Sequence, residues 1–270
     1  MLHIATVHYR SARWIGIQTR ALAEHLSVPY RTWASLELID PSYAARFDRV
    51  IDQTGRHSDK LNHLAIEVSH EASEEDLLMF LDGDAFPIAD PMPLIEEGLS
   101  RAPLIAVRRA ENNDEKQPHP CFCVTTVRTW RTLPGDWSIG YRWLDHDGRR
   151  ITDVGGNLLR QLELSETPWV QVLRTNRRNP DPILFAVYGD VIYHHGAGFR
   201  PGVLTTGHHT GVPQPLRISR LPVARNLMRH LEWRRRQAWA RGLRDEQIRQ
   251  SERIFAGIER GGHDWLAEFV

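Results

Sequence analysis

Cysteine, lysine and long apolar runs are all scarce in this chain, and each shortage excludes something. Two cysteines in 270 residues, Cys121 and Cys123, cannot build a disulfide framework, and their spacing puts both on one face of a strand. Neither has partners at zinc spacing, so both read as buried strand residues. No window approaches the roughly 20 apolar residues of a membrane-spanning helix. Met1 to Val7 carries no basic stretch followed by a long apolar core, so a first strand is expected there rather than a signal peptide. A reducing, cytoplasmic setting is the expectation that follows. No GxGxxG and no GxxxxGK[ST] follows that strand, which removes the dinucleotide fingerprint and the P-loop.

Net charge is also missing, with 34 basic and 34 acidic residues, but the balance is uneven. Leu216 to Arg260 holds 12 arginines against 5 acids, a local +7, and the remainder is correspondingly acidic. Only Lys60 and Lys116 are lysines; genomic base composition is the plain explanation. In the basic stretch Ile248, Ser251, Phe255 and Ile258 share one helical face, as do Leu221, Ala224, Leu227 or Met228, and Leu231. One reading packs these helices on the main domain or on a second copy in a homodimer. The other is peripheral attachment to anionic lipid on the inner face of the membrane, because Trp233 and Trp239 flank Arg234-Arg235-Arg236. Nucleic acid is disfavoured by the acidic remainder and by the lack of a reader motif.

The first half alternates strand and helix. Strands are predicted over Leu2–Val7, Pro29–Trp33, the apolar run starting at Leu77, and Leu104–Arg108, with helices over Trp14–Leu26, Leu61–Ser69 (Ser58 as N-cap) and Leu94–Arg101. The run Ala110 to Pro120 is polar and loop-like, either a flexible loop over a site or an ordinary surface connection. Pro120–Val127 returns to strand, Asp153-Val154-Gly155-Gly156 opens a helix, and Leu184–Tyr193 reads as one more strand. Such alternation predicts an α/β fold with a mainly parallel sheet that binds ligands at its carboxyl edge, with mixed strand directions later in the chain.

The most informative stretch is Leu77-Leu78-Met79-Phe80-Leu81-Asp82-Gly83-Asp84. Five consecutive apolar residues leave no solvent face and read as a strand buried on both sides. Gly83 allows a sharp turn, so Asp82 and Asp84 can both point into a cleft. Paired oxygen donors at such a place suit a divalent cation that keeps positions open for phosphate oxygens. A solvated Asp-Gly turn is the plainer alternative, but apolar Ala85-Phe86-Pro87-Ile88 follows.

Other candidates are placed around this pair. Imidazole suits Mn²⁺ better than Mg²⁺, and because Tyr193 and His195 share a strand face, His195 is the preferred further metal ligand and His194 the reserve; a structural or phosphate-facing histidine is the alternative. The small residues Gly196, Ala197 and Gly198 can approach phosphate, and Arg200 adds a planar cation. His8, Tyr9 and Arg10 end the first strand, where an aromatic can flank a base and an arginine a phosphate. Lys60 opens a helix and favours an anion, or is merely a solvated helix start. Asp153 is either an N-cap or a carboxylate engaging an acceptor hydroxyl. Trp130 reads as core, whereas Trp137, in a Gly-Asp-Trp-Ser turn, is the acceptor-site candidate.

Together these residues resemble the GT-A superfamily of nucleotide-sugar-dependent glycosyltransferases. The resemblance rests on the first-strand edge, Lys60 ahead of the core strand, Asp82-Gly83-Asp84, and His195-Gly196-Ala197-Gly198, which is similar to the HxxG motif of some retaining members. Those members carry Lys-Pro-Trp after the glycine, where this chain has Phe199-Arg200-Pro201. The resemblance implies a GT-A-like, Rossmann-type mixed sheet flanked by helices over residues 1–205, with a nucleotide-sugar half at about 1–109 and an acceptor half at about 110–205. Residues 206–270 form a basic, mainly helical extension. It also implies Mn²⁺ or Mg²⁺ on Asp82 and Asp84, Gly83 beside the donor's diphosphate, and Arg200 and Lys60 assisting. The donor would be a nucleotide-diphosphate sugar of UDP type and the acceptor a saccharide or lipid-linked hydroxyl, with Asp153 as base if configuration is inverted. The competing readings are a sugar-phosphate nucleotidyltransferase and a non-catalytic nucleotide-sugar-binding scaffold.

Overall fold

The computed structural model describes residues 1–144, 148, 150–197, 222–262 and 264–269. In chain order the elements are β1 (Leu2–Tyr9), α1 (Ile15–His25), β2 (Tyr30–Glu37), β3 (Arg49–Ile51), α2 (His57–Glu71), β4 (Leu77–Phe80) and β5 (Ala85–Pro87). There follow α3 (Met92–Arg101), β6 (Leu104–Val107), β7 (His119–Thr126), α4 (Val127–Thr132), β8 (Trp143–Leu144), β9 (Arg150–Ile151) and α5 (Gly156–Leu164). The last are β10 (Val170–Val172), β11 (Ala186–Tyr188), β12 (Ile192–His194) and α6 (Pro222–Arg260).

Strand β1 is buried along nearly its whole length, and so it lies inside the main sheet, parallel to β2 on one side and β4 on the other. The seven-stranded order is β10-β6-β7-β4-β1-β2-β3. Strand β7 runs antiparallel to both β4 and β6, which makes the sheet mixed. The chain leaves β1 for β2 and β3 on one side and returns to β4 on the other. That reversal opens a crevice at the carboxyl ends of β1 and β4. A second, antiparallel sheet, β11-β12-β5, covers the same end.

Strand alternation divides the core. Ala5, Val7, Leu78 and Phe80 face α2 and α5, packing with Leu61, Leu64, Val68, Trp130, Trp137 and Leu158. Leu2, Ile4 and Met79 face the other way, toward Ile95, Ile105 and Phe122. A third cluster joins Trp14, the N-cap residue of α1, and Ile17 within it to Phe86, Tyr193, Phe269 and the last turns of α6 through Ile254, Phe255 and Ile258.

Three local expectations change. Helix α2 starts at His57, not Leu61, with Arg56 at the N-cap position. Asp59 Oδ2 accepts the Arg56 N–H at 3.3 Å, so Ser58 lies inside the first turn instead of capping it. Leu184–Tyr193 is not one strand. It folds into the β11–β12 hairpin, because Gly189 and Asp190 take φ of 56° and 59°, the left-handed pair a tight hairpin turn favours. In α6 the docked face runs through Gln247, Ser251, Ile254, Phe255 and Ile258, and Ile248 is 42% exposed, about a quarter-turn away. The side chains of Leu221, Ala224 and Leu227 lie outside the described residues. Among the described residues no helix is long and apolar enough to cross a membrane.

Phe80 is wholly buried, its ring 4.7 Å from that of Trp130 and 4.9 Å from that of Trp137. Phe80→Ala is expected to cost about 3–5 kcal/mol in urea unfolding; a loss under about 1 kcal/mol would contradict this packing.

Candidate metal centre

Backbone pairing continues one residue past β4, Leu81 N–H donating to Ala5 O at 3.0 Å. The chain then turns through Asp82-Gly83-Asp84. A Cβ on Gly83 would lie 2.5 Å from Val7 O and 2.7 Å from His8 Nδ1, so this turn sits against the end of β1 with room only for hydrogen. Gln18 of α1, fully buried, fixes the turn from beneath. Its Nε2 donates to Asp82 O and Ala85 O, both at 2.8 Å. Its Oε1 accepts from Thr6 Oγ1 at 3.0 Å and meets His8 Nε2 at 3.1 Å.

Asp82 and Asp84 are 8% and 4% exposed. His194 Nε2 lies 3.5 Å from Asp84 Oδ1 and 3.9 Å from Asp82 Oδ2. One ligand atom from each of the three residues falls within 4.8 Å of the others. Two carboxylates and an imidazole so close together fit a divalent cation of Mn²⁺ or Mg²⁺ size with positions left for other ligands. Asp82 Oδ1 is buried and accepts no hydrogen bond, and such an orphaned acceptor fits a metal-ligand role. The centre opens into a cleft of about 820 Å³ whose walls include Tyr9, Arg10, His57, Lys60, Arg109 and Asp153.

The structure separates the sequence candidates. His195 is not at the metal position, which is a correction. Side chains alternate along β12, so His194 faces the carboxylates while Tyr193 and His195 face the α1–α6 core. His195 Nδ1 meets Tyr193 OH at 2.9 Å, Nε2 meets Ser251 Oγ at 2.7 Å, and Trp14 covers the ring at 4.5 Å. Burial lowers its pKa to about 3. Its backbone N–H donates to Asp84 O at 3.0 Å, so it supports the turn from behind. His8 is likewise corrected: it is buried behind Gly83 against Phe47 and does not line the cleft. Trp137 is no acceptor platform, since it is wholly buried between Phe80 and Trp130.

Tyr9 and Arg10 do reach the cleft. Lys60 is buried and ion-paired with Glu37, its Nζ 4.8 Å from the Tyr9 ring centre, so it braces the wall through its neighbours. Asp153 is exposed at the cleft rim with Oδ1 accepting Val154 N–H at 2.8 Å, and the N-cap of α5 is Gly155. Arg200 lies outside the described residues.

Sequence reasoning missed His57, His119, Arg109 and Gln18. His57 Nε2 is 3.2 Å from Asp82 Oδ1, and His119 Nδ1 is 4.0 Å from Asp82 Oδ2. The polar run at 110–118 folds into the wall, burying Asn112, Glu115 and Gln117. Burial opposes the charge on Arg109, yet nearby Glu115, Tyr188 and Glu111 hold its pKa above the ordinary value. His119, set between prolines at a strand start, carried the one signal that could have been noticed.

No family model matches the chain, and no curated protein does. Among solved structures it is similar to TarS of S. aureus, at 10% identity and TM-score 0.38 over 51% of this chain and 30% of that one. It is similar also to the mannosyltransferase PcManGT from Pyrobaculum calidifontis, solved with GDP-Man and Mn²⁺, at 14% identity and TM-score 0.39 over 51% and 47% of the two chains. A third is the galactosyltransferase LgtC, solved with donor and acceptor sugar analogs, at 13% identity and TM-score 0.37 over 59% and 70%. Two of these three bear glycosyltransferase names. The chain spans less than half the length of TarS and of PcManGT.

Burial, the largest influence, lowers the His8 pKa to about 4. Above pH about 6.5 His8 is neutral whether the chain is folded or unfolded. Between about 6.5 and 4 the unfolded chain binds a proton that the native state refuses, so stability falls by about 1.4 kcal/mol per pH unit from this group. Urea unfolding across that window should show this slope reduced in His8→Asn; identical slopes in both proteins would contradict the assignment.

Proposed function

We propose that the chain is a metal-dependent glycosyltransferase that moves a sugar from a nucleotide-diphosphate sugar, of UDP type, to a hydroxyl acceptor. The observation that carries this reading is the buried Asp82–Asp84–His194 group opening into a cleft whose walls carry Arg10, Lys60 and Arg109. Asp82, Asp84 and His194 would hold Mn²⁺ or Mg²⁺. Bound there, the cation supplies charge neutralisation for the departing diphosphate. Arg10 and Arg109 add fixed positive charge, and Gly83 lets the turn seat against the end of β1 so that both carboxylates reach the cleft. Tyr9 flanks the base, steadied by the Lys60–Glu37 pair.

Asp153, on the acceptor side of the cleft, takes the proton from the attacking hydroxyl in an inverting reaction; a retaining reaction does not need it. Residues 1–109 serve as the nucleotide half and 110–205 as the acceptor half, with 206–270 as a C-terminal extension whose Ile254, Phe255 and Ile258 pack against the catalytic domain. The first half of α6 leaves Trp233 58% and Leu231 43% exposed among arginines. That surface supports peripheral contact of a cytoplasmic enzyme with anionic lipid carrying a lipid-linked acceptor, or pairing with a second copy. A nucleotidyltransferase is the weaker reading, since β1 is not followed by a glycine-rich basic loop suited to a triphosphate.

A thermal-shift panel of nucleoside diphosphates and nucleotide sugars, with and without Mn²⁺, tests this. A UDP-type ligand should give the largest metal-dependent rise in Tm through preferential binding to the native state, and Asp84→Ala should abolish that rise. An undiminished rise in Asp84→Ala, or pyrophosphate in place of a nucleoside diphosphate as product, would overturn the proposal.

A further inference from the structure

Three imidazoles surround one carboxylate at this centre. His57 Nε2 faces Asp82 Oδ1 at 3.2 Å, while His194 Nε2 and His119 Nδ1 face Oδ2 at 3.9 Å and 4.0 Å. They come from separate elements: α2, β12 and β7. The three differ in what their nitrogens are free to do.

His119 is committed elsewhere. Its Nδ1 accepts the Cys121 N–H at 3.1 Å, which uses that lone pair, and its Nε2 lies 3.5 Å from Arg109 Nη1. A guanidinium at that distance excludes a cation from the Nε2 side. His119 is therefore wall, not ligand.

His57 is different. It is the first residue of α2 and half-buried, with its ring lining the cleft. Its close approach to Asp82 Oδ1 lacks hydrogen-bonding geometry, and that oxygen is buried and accepts no hydrogen bond. A buried carboxylate oxygen without a hydrogen-bond donor and an imidazole nitrogen stand 3.2 Å apart, two atoms that one cation could serve together.

We propose that His57 supplies a second imidazole to the cation, so that the centre offers two nitrogens and two carboxylates and favours first-row transition ions over Mg²⁺. The inference rests on the metal reading above and adds a ligand and a selectivity to it. Mg²⁺ prefers an all-oxygen octahedron and gives up water reluctantly, whereas imidazole binds transition ions well. His57 approaches Oδ1 of Asp82 and His194 approaches Oδ2; the His57 nitrogen lies outside the group of three whose ligand atoms all fall within 4.8 Å, so to join them its half-buried ring swings inward toward the cation.

The test uses the full chain with Mn²⁺ alone, without donor. Pulsed EPR should show nitrogen couplings from two imidazoles in the native protein, and from one in His57→Ala and in His194→Ala. Titration should show the Mn²⁺ Kd raised about tenfold in His57→Ala with the Mg²⁺ Kd changed less than about twofold, a loss of the selectivity. His57→Gln, which keeps a polar side chain at the helix start, should behave as His57→Ala does. Bound Mn²⁺ with a single nitrogen coupling that survives in His57→Ala overturns this inference and leaves the metal centre standing. Absence of any bound Mn²⁺ signal overturns both.

Discussion

Two carboxylates from one three-residue turn are taken almost wholly out of water, and the surrounding structure answers that constraint. With one oxygen of each inside a 4.8 Å group, their mutual repulsion is about 3 kcal/mol at an effective dielectric of about 20. Asp82 is faced by imidazoles, from His57, His119 and His194. An imidazole can share a proton or a cation with a carboxylate, but a neutral one does not cancel its charge. A divalent ion cancels both carboxylates together and still has coordination positions to spare, which is why the turn reads as a site and not as an expensive loop.

The rigidity of that turn comes from outside it. Gln18 spans from α1 to two carbonyls of the turn, and Gly83 lets the turn rest on the last residues of β1. From the other side the His195 backbone holds Asp84, while its ring is clasped by Tyr193, Trp14 and Ser251. Arg13 pairs with Glu252 at 2.9 Å and lies over Phe255, binding α6 to α1 beside the same histidine. The final turns of α6 thereby help to set the aim of His194, a neighbour in sequence whose side chain faces the opposite way. Second-layer contacts of this kind are what hold ligand atoms in a productive geometry.

What was legible in the sequence follows from how local each signal is. The apolar run ending at Leu81 and the Asp-Gly-Asp after it could be read directly, because burial on both faces leaves no polar positions in a strand. The alternation of strand and helix conveyed the sheet, and the later turn-rich half conveyed mixed strand direction. Choosing between His194 and His195 was not a local question. Strand periodicity places them on opposite faces, but which face meets the cleft depends on where α6 packs, 56 residues later at Ser251. Trp137 misled for a related reason: its turn is polar, yet Phe80 and Trp130 close over the indole. His57 and His119 gave little signal because they converge on Asp82 only after α2 and β7 take their places in the fold. The Gly189-Asp190 turn is a local signal, masked in the sequence by the uniformly apolar residues on both sides of it.

Anomalous diffraction at the manganese edge, from crystals soaked with Mn²⁺ and a nucleoside diphosphate, tests the central claim most directly. The account predicts one strong peak bounded by Asp82, Asp84 and His194, with diphosphate oxygens beside it. Ordered nucleotide with that position empty and the manganese peak elsewhere would contradict it.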